Sequence, residues 1–246
     1  MAKYPVHRER MASPYNVRMP IESPLPDRGA PLAVLVSGGL DSAVLLGEAS
    51  TLHPKVHPLY VRVGSAWESV EMKHLQRFLD ALDGEALQPL VVLDEPVGDL
   101  YGSHWSLTGR NVPGASTPDE AVYLPGRNVL LLAKALLWCH LHDVPQIALA
   151  PLSANPFPDA TPEFFAKFQD AVNQAVNGRT RILWPYLHWT KTDVIRRGAA
   201  FPLQHTFSCI APVRELHCGN CNKCAERQRA FRAAGVPDPT SYAERG

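Results

Sequence analysis

An apolar run, Leu32-Ala33-Val34-Leu35-Val36, passes without a break into Ser37-Gly38-Gly39-Leu40-Asp41-Ser42, and this junction restricts the fold more than any other segment. Five apolar residues with no polar alternation predict a strand buried on both faces, which requires a layer on either side of a sheet. The two glycines allow backbone N–H groups to curl inward where a Cβ would block them. A helix beginning directly behind them aims its N-terminal dipole at the same point. Strand, glycine turn and helix in that order form an anion cradle. The same residue types also make a plain Gly-Gly turn with Ser42 as a helix cap.

Downstream the text alternates. A helix is predicted over Ser42–Ser50, a strand over His57–Val63, an amphipathic helix over Glu68–Leu82 and a strand over Leu87–Leu93. Asp94–Pro125 reads as a long irregular stretch of the kind that serves as a lid. Asn128 is placed to cap a helix Val129–Leu141, followed by a strand Gln146–Leu152. Thr161-Pro162-Glu163 opens a helix running to Val176, with a capping residue followed by proline at the first position. A strand Arg181–Leu187 and a helix Thr190–Ala199 complete the pattern. Strands alternating with helices imply an α/β fold with a doubly wound parallel sheet. Residues 1–31, rich in proline and without period, read as an arm, residues 32–204 as the α/β domain, and residues 205–246 as a separate C-terminal segment.

That last segment carries Cys209, Cys218, Cys221 and Cys224. Four soft ligands at this spacing, with Gly219 allowing a sharp turn, fit tetrahedral thiolate coordination of a structural Zn2+, because a full shell leaves no position for an activated water. An iron–sulfur cluster uses the same ligands, and a disulfide pair is the remaining reading. His205 and His217 flank the cluster and read as surface or pocket residues rather than ligands. Cys139, in an apolar helical run, reads as a small buried hydrophobe.

The chain of 246 residues has a formal net charge of zero and 46% hydrophobic residues, enough for a core of its own. Charge gives no reason to expect a nucleic-acid partner, and no apolar run is long enough to span a membrane, so a cytoplasmic enzyme acting on a small molecule is the expectation.

Ser-Gly-Gly-Leu-Asp-Ser lacks the lysine of a Walker A loop and the third glycine of a dinucleotide fold. It resembles the phosphate loop of the ATP pyrophosphatases, which split ATP between its α and β phosphates. With Leu-Pro-Gly-Arg-Asn at 124–128, Phe-Pro-Asp-Ala-Thr-Pro-Glu-Phe at 157–164, Trp-Thr-Lys-Thr-Asp-Val-Ile at 189–195 and the cysteine segment, the chain from Leu32 to Tyr242 resembles the 7-cyano-7-deazaguanine (preQ0) synthases of the queuosine pathway. The resemblance implies a HUP-type fold, usually dimeric, with ATP and Mg2+ bound at Ser37, Gly38, Gly39, Leu40, Asp41 and Ser42. It also implies catalytic roles for Ser37, Asp41, Arg127 and Lys191, and substrate contacts at Arg127, Asp159 and Glu163. The substrate would be 7-carboxy-7-deazaguanine or a related carboxylate, adenylated and then captured by ammonia or another amine.

The residues leave other roles open: Arg127 as a salt-bridging side chain, Asp159 as a loop end, and Thr190-x-x-Asp193 as a capping arrangement around Lys191. Glu226 and Arg227 read as solvated helix-surface residues. Two departures from the family concern the acceptor. Ala160-Thr161 stands where it usually carries Cys-Arg, and no histidine follows Tyr60 at the expected place. A ligase joining a deazaguanine acid to another amine, such as a protein, therefore stays an alternative, as does a non-catalytic nucleotide sensor. A tRNA-thiolating enzyme would need a second reactive cysteine beside Cys139. Loss of the metal is expected to leave the chemistry of the loop intact.

Overall fold

A computed structural model describes residues 25, 28–82 and 84–243, so most of the expected N-terminal arm lies outside the described residues. Five strands, β1 (Leu32–Leu35), β2 (Val56–Arg62), β3 (Val91–Asp94), β4 (Gln146–Ala148) and β5 (Arg181–Leu183), form one all-parallel sheet in the order β3-β2-β1-β4-β5. The helices are α1 (Leu40–Leu52), α2 (Glu68–Leu82), α3 (Gly98–Tyr101), α4 (Trp105–Thr108), α5 (Arg127–Leu141), α6 (Pro162–Val176), α7 (Lys191–Arg197) and α8 (Asn222–Ala234).

The central strand explains the two layers. Leu32 and Val34 pack with α1, α2, α7 and α8, through residues such as Leu45, Phe78, Ile195 and Phe231. Ala33, pointing the other way, packs with Leu136 and Cys139 of α5 and Phe165 of α6. Period-two alternation in an uncharged strand thus loads both faces.

The expected elements are present, with bounds altered by proline. β3 begins at Val91 rather than Leu87: Leu87 makes one isolated bridge to Val56, and the intervening Pro89 has no N–H for the ladder. β4 stops before Pro151 and β5 before Pro185, so both chains leave the sheet at the same end. Gly126, at φ +73°, and not Asn128, precedes α5. Thr161 caps α6 through a 3.2 Å bond from the Phe164 N–H, and Thr190 with Asp193 forms a reciprocal capping box on α7. The stretch 94–125 is not an open lid. It contains α3, α4 and a 3-10 turn at Asp119–Val122, and it is pinned to the cysteine segment by Asn222, whose N–H reaches the Pro113 carbonyl at 2.9 Å and whose Nδ2 reaches the Thr117 carbonyl at 2.8 Å.

Candidate active site

The connection after β1 returns to β2 on one side, while β4 lies on the other, and the Ser37–Ser42 loop sits at this reversal of strand order. Ligands of open α/β sheets bind at such a switch point, beyond the carboxyl ends of the strands. Gly38 has φ +68°, and a Cβ there would stand 3.2 Å from the Glu71 carbonyl oxygen, so the position requires glycine on both counts. The Ser37 N–H donates to Ser42 Oγ at 3.2 Å, and the Gly39 N–H to Ser37 Oγ at 3.3 Å. Gly39 precedes α1 without a side-chain cap, which leaves the first-turn N–H groups available to an anion.

Two adjoining cavities, of about 330 and 230 Å3, open from the loop and share Ser37, Gly39, Asp41, Ser65, Glu71, Arg127 and Asn155. The smaller runs along the ends of β1, β2 and β4, past Tyr60, Leu149 and Pro151. The larger faces the cysteine segment and is walled by Trp67, Trp105, Phe157 and Phe207 with Lys191, Lys223 and Glu226. Trp67 and Trp105 stack at 5.8 Å and 19°.

Lys191 Nζ lies 2.6 Å from Asp41 Oδ2 and 3.3 Å from Glu226 Oε1. Burial works against its charge, but Asp41 and Glu226 more than offset this and hold the ammonium protonated above its usual range. Burial likewise opposes ionisation of Glu226, yet Lys191 and Lys223 draw its carboxyl down to about 2. The capping box and this clamp coexist: Thr190 and Asp193 fix the start of α7, and the box leaves Lys191 pointing at the loop. Asp41 Oδ1 is buried with no hydrogen-bond partner, which suits a cation brought in with phosphate.

Of the other expected site residues, Arg127 lines both cavities. Asp159 does not face them. Its Oδ2 accepts the Asn128 N–H at 3.0 Å and its carbonyl accepts Asn128 Nδ2 at 2.9 Å, so it holds the start of α5. Glu163 stands on the outer side of α6, 75% exposed, in an i,i+4 pair with Lys167. The reading of Glu226 and Arg227 as solvated residues is corrected. Glu226 faces the cavity, and Arg227 is 2% exposed, donating to Thr240 Oγ1, Ser208 Oγ and the Leu203 carbonyl with its guanidinium over the Phe231 ring. His217 is buried too, and its Nε2 accepts the Ser208 N–H at 3.1 Å.

Glu71 was missed in the sequence. A signal existed: 71, 75, 78 and 82 fall on the apolar stripe of α2, where a carboxylate is out of place. Tyr60 OH donates to Glu71 Oε2 at 2.5 Å. Burial pushes the Glu71 carboxyl up to about 7, against the pull of the Tyr60 hydrogen bond and of Arg127.

The four cysteine sulfurs are buried and lie within 4.8 Å of one another, with Cys209–Cys221 and Cys218–Cys224 each at 3.9 Å. Tetrahedral Zn–S bonds of about 2.3 Å give edges of about 3.8 Å, so the set fits a metal ion. Backbone N–H groups of Cys218, Cys221 and Cys224 donate to neighbouring sulfurs at 3.2–3.4 Å, as thiolates require. Burial pushes the Cys139 thiol up to about 12, leaving it inert.

The model of the queuosine biosynthesis protein QueC family matches residues 32–235. The chain belongs to this family. Curated relatives agree. The 7-cyano-7-deazaguanine synthase of Syntrophobacter fumaroxidans is 33% identical over 227 residues, covering 85% of this chain and 94% of that protein. Those of Methanothrix thermoacetophila and Aromatoleum aromaticum are each 32% identical, again over 85% of this chain and 96% of theirs. The stretch common to the family includes both the loop and the cysteines, and the larger cavity is lined from both the loop and the cysteine segment. Among the described residues no helix is long and apolar enough to cross a membrane.

Proposed function

We propose that the protein is an ATP-dependent carbon–nitrogen ligase that adenylates 7-carboxy-7-deazaguanine and passes the acyl group to ammonia. The observation that carries this reading is the Ser37–Ser42 loop opening on a cavity that Lys191 and Arg127 also line. A carboxylate oxygen is a poor leaving group, and transfer to the α-phosphate of ATP turns it into one that departs with AMP. Loop N–H groups and the α1 N-terminus would hold the departing pyrophosphate, and Asp41 Oδ1 would hold the magnesium that accompanies it. The smaller cavity would take the nucleoside. The larger, with the stacked pair Trp67–Trp105, suits a planar bicyclic acid. Arg127, lining both, is the cation for the acid, since Arg62 is turned outward and tied to Asp94 at 2.6 Å. Zinc held by Cys209, Cys218, Cys221 and Cys224 would be structural and would fix the segment that carries Lys223 and Glu226.

Incubation with ATP, magnesium, ammonium and 7-carboxy-7-deazaguanine, followed by mass spectrometry, tests the reading. Formation of the amide or, after a second ATP, the nitrile supports it. Absence of acid-dependent pyrophosphate release rejects it.

A further inference from the structure

An acyl adenylate and ammonia cannot become an amide unless the nitrogen gives up a proton, so the ligase reading requires a base beside the point where the activated carbonyl and the amine meet. The two cavities join at the loop, and Glu71 lines both sides of the junction. Its carboxyl is oriented by Tyr60, which is only 3% exposed and donates at 2.5 Å. Gly38 of the phosphate loop lies beside the same residue, where an added Cβ would stand 3.2 Å from Glu71 Cγ.

The other carboxylates of the junction are already committed. Asp41 is bound to Lys191, and Glu226 to Lys191 and Lys223. Glu71 makes no ion pair among the described residues, and its carboxyl is held by the Tyr60 hydroxyl and the Trp67 indole rather than by a cation.

We infer that Glu71 is the general base of the amide-forming step, resting on the ligase reading above. The ammonia lone pair forms the C–N bond and the carbonyl C–O bond to the phosphate breaks, its electron pair leaving on AMP. One N–H proton passes to the Glu71 carboxylate, with Tyr60 keeping the receiving oxygen in place. The groups that set its proton affinity are Tyr60 from β2, Glu68 and Trp67 around the start of α2, and Arg127 from α5. The carboxyl value near 7 matches a base that works at neutral pH and is released again in each cycle.

The test separates the two half-reactions in Glu71→Gln. Acid-dependent ATP–pyrophosphate exchange should stay within about threefold of the natural chain, while amide formation from ammonium falls by roughly 100-fold or more. Hydroxylamine is neutral at pH 7 and attacks acyl adenylates without a base, so it should restore at least tenfold of the lost rate. Tyr60→Phe, which removes a hydrogen bond to the carboxylate, should move the acidic limb of the amidation pH profile upward and leave that of exchange in place. Amide formation by Glu71→Gln at the natural rate overturns the assignment. So does equal loss of exchange and amidation without rescue by hydroxylamine. If the natural chain itself shows no acid-dependent exchange, the ligase reading falls and this inference with it.

Discussion

Phe207 donates its backbone N–H to the Gly38 carbonyl at 2.7 Å, which ties the segment leading into Cys209 directly to the phosphate loop. The two sequence motifs are therefore mechanically connected. Lys191 adds a second connection, since its ammonium bridges Asp41 in the loop helix and Glu226 in the helix that starts at the cysteines.

Metal removal should consequently reach the nucleotide, contrary to the expectation that the loop would be unaffected. About one zinc per chain is expected by elemental analysis, and Cys221→Ser should lose it. Calorimetry of the chelated protein should show ATP affinity weakened by about tenfold or more, with the melting temperature lowered. Unchanged ATP binding by a metal-free, still folded chain would show that the Phe207 and Lys191 links transmit nothing.

Asp41→Ala should abolish acid-dependent pyrophosphate release. It leaves Lys191 half-buried with Glu226 as its remaining partner, so a stability loss of about 1–3 kcal/mol should accompany it. Asp41→Asn keeps the shape and a hydrogen bond, and should lose catalysis with a smaller change in melting temperature. Pyrophosphate release by either variant at the natural rate would remove Asp41 from the chemistry.

Arg127→Ala should raise the KM for the acid by roughly tenfold or more, because a charge-assisted contact contributes about 1.5–3 kcal/mol. Thr161→Arg, the change that would restore the family's cation, is expected to be of little help. Thr161 Oγ caps α6, and its loss should cost about 1 kcal/mol in urea unfolding. Steady-state kinetics of both variants decides which cation the acid uses.

Stability should fall as pH rises past Glu71's titration. In the unfolded chain the carboxyl titrates near its ordinary 4.5, whereas folding pushes it up to about 7, so the folded form binds more protons between those values. The penalty grows across that window and is complete above it. Glu71→Gln should raise stability at pH 8 by on the order of 3 kcal/mol and leave it nearly unchanged at pH 4. Equal urea midpoint shifts at both pH values would disprove the linkage.

The architecture was largely legible because its signals are local. An uncharged strand, a Gly-Gly turn, a Thr-Pro helix start and four closely spaced cysteines each carry their meaning within a few residues. The strand ends were less legible, because apolar residues continue past the points where Pro89, Pro151 and Pro185 bound the ladders. The site was less legible because its decisive pairs are distant: Lys191 and Asp41 are separated by 150 positions, and nothing near Glu226 or Arg227 indicates that one side chain of α8 meets Lys191 at the cavity while the next is buried against Ser208, Thr240 and Phe231. For Asp159, which the sequence reads as either a substrate contact or a loop end, the deciding contact is likewise distant. A carboxylate is a natural acceptor for the N–H and amine of a guanine-like ring, but the partner it has among the described residues, Asn128, is 31 positions away.

The clamp on the loop also has a bearing on synthesis. Ser37–Ser42 leaves the ribosome early, but the lysine that grips Asp41 and the glutamate that steadies that lysine are made among the last quarter of the chain. A nascent or prematurely ended polypeptide has the cradle without its grip. On the ligase reading, nucleotide turnover is expected only from chains completed through α8.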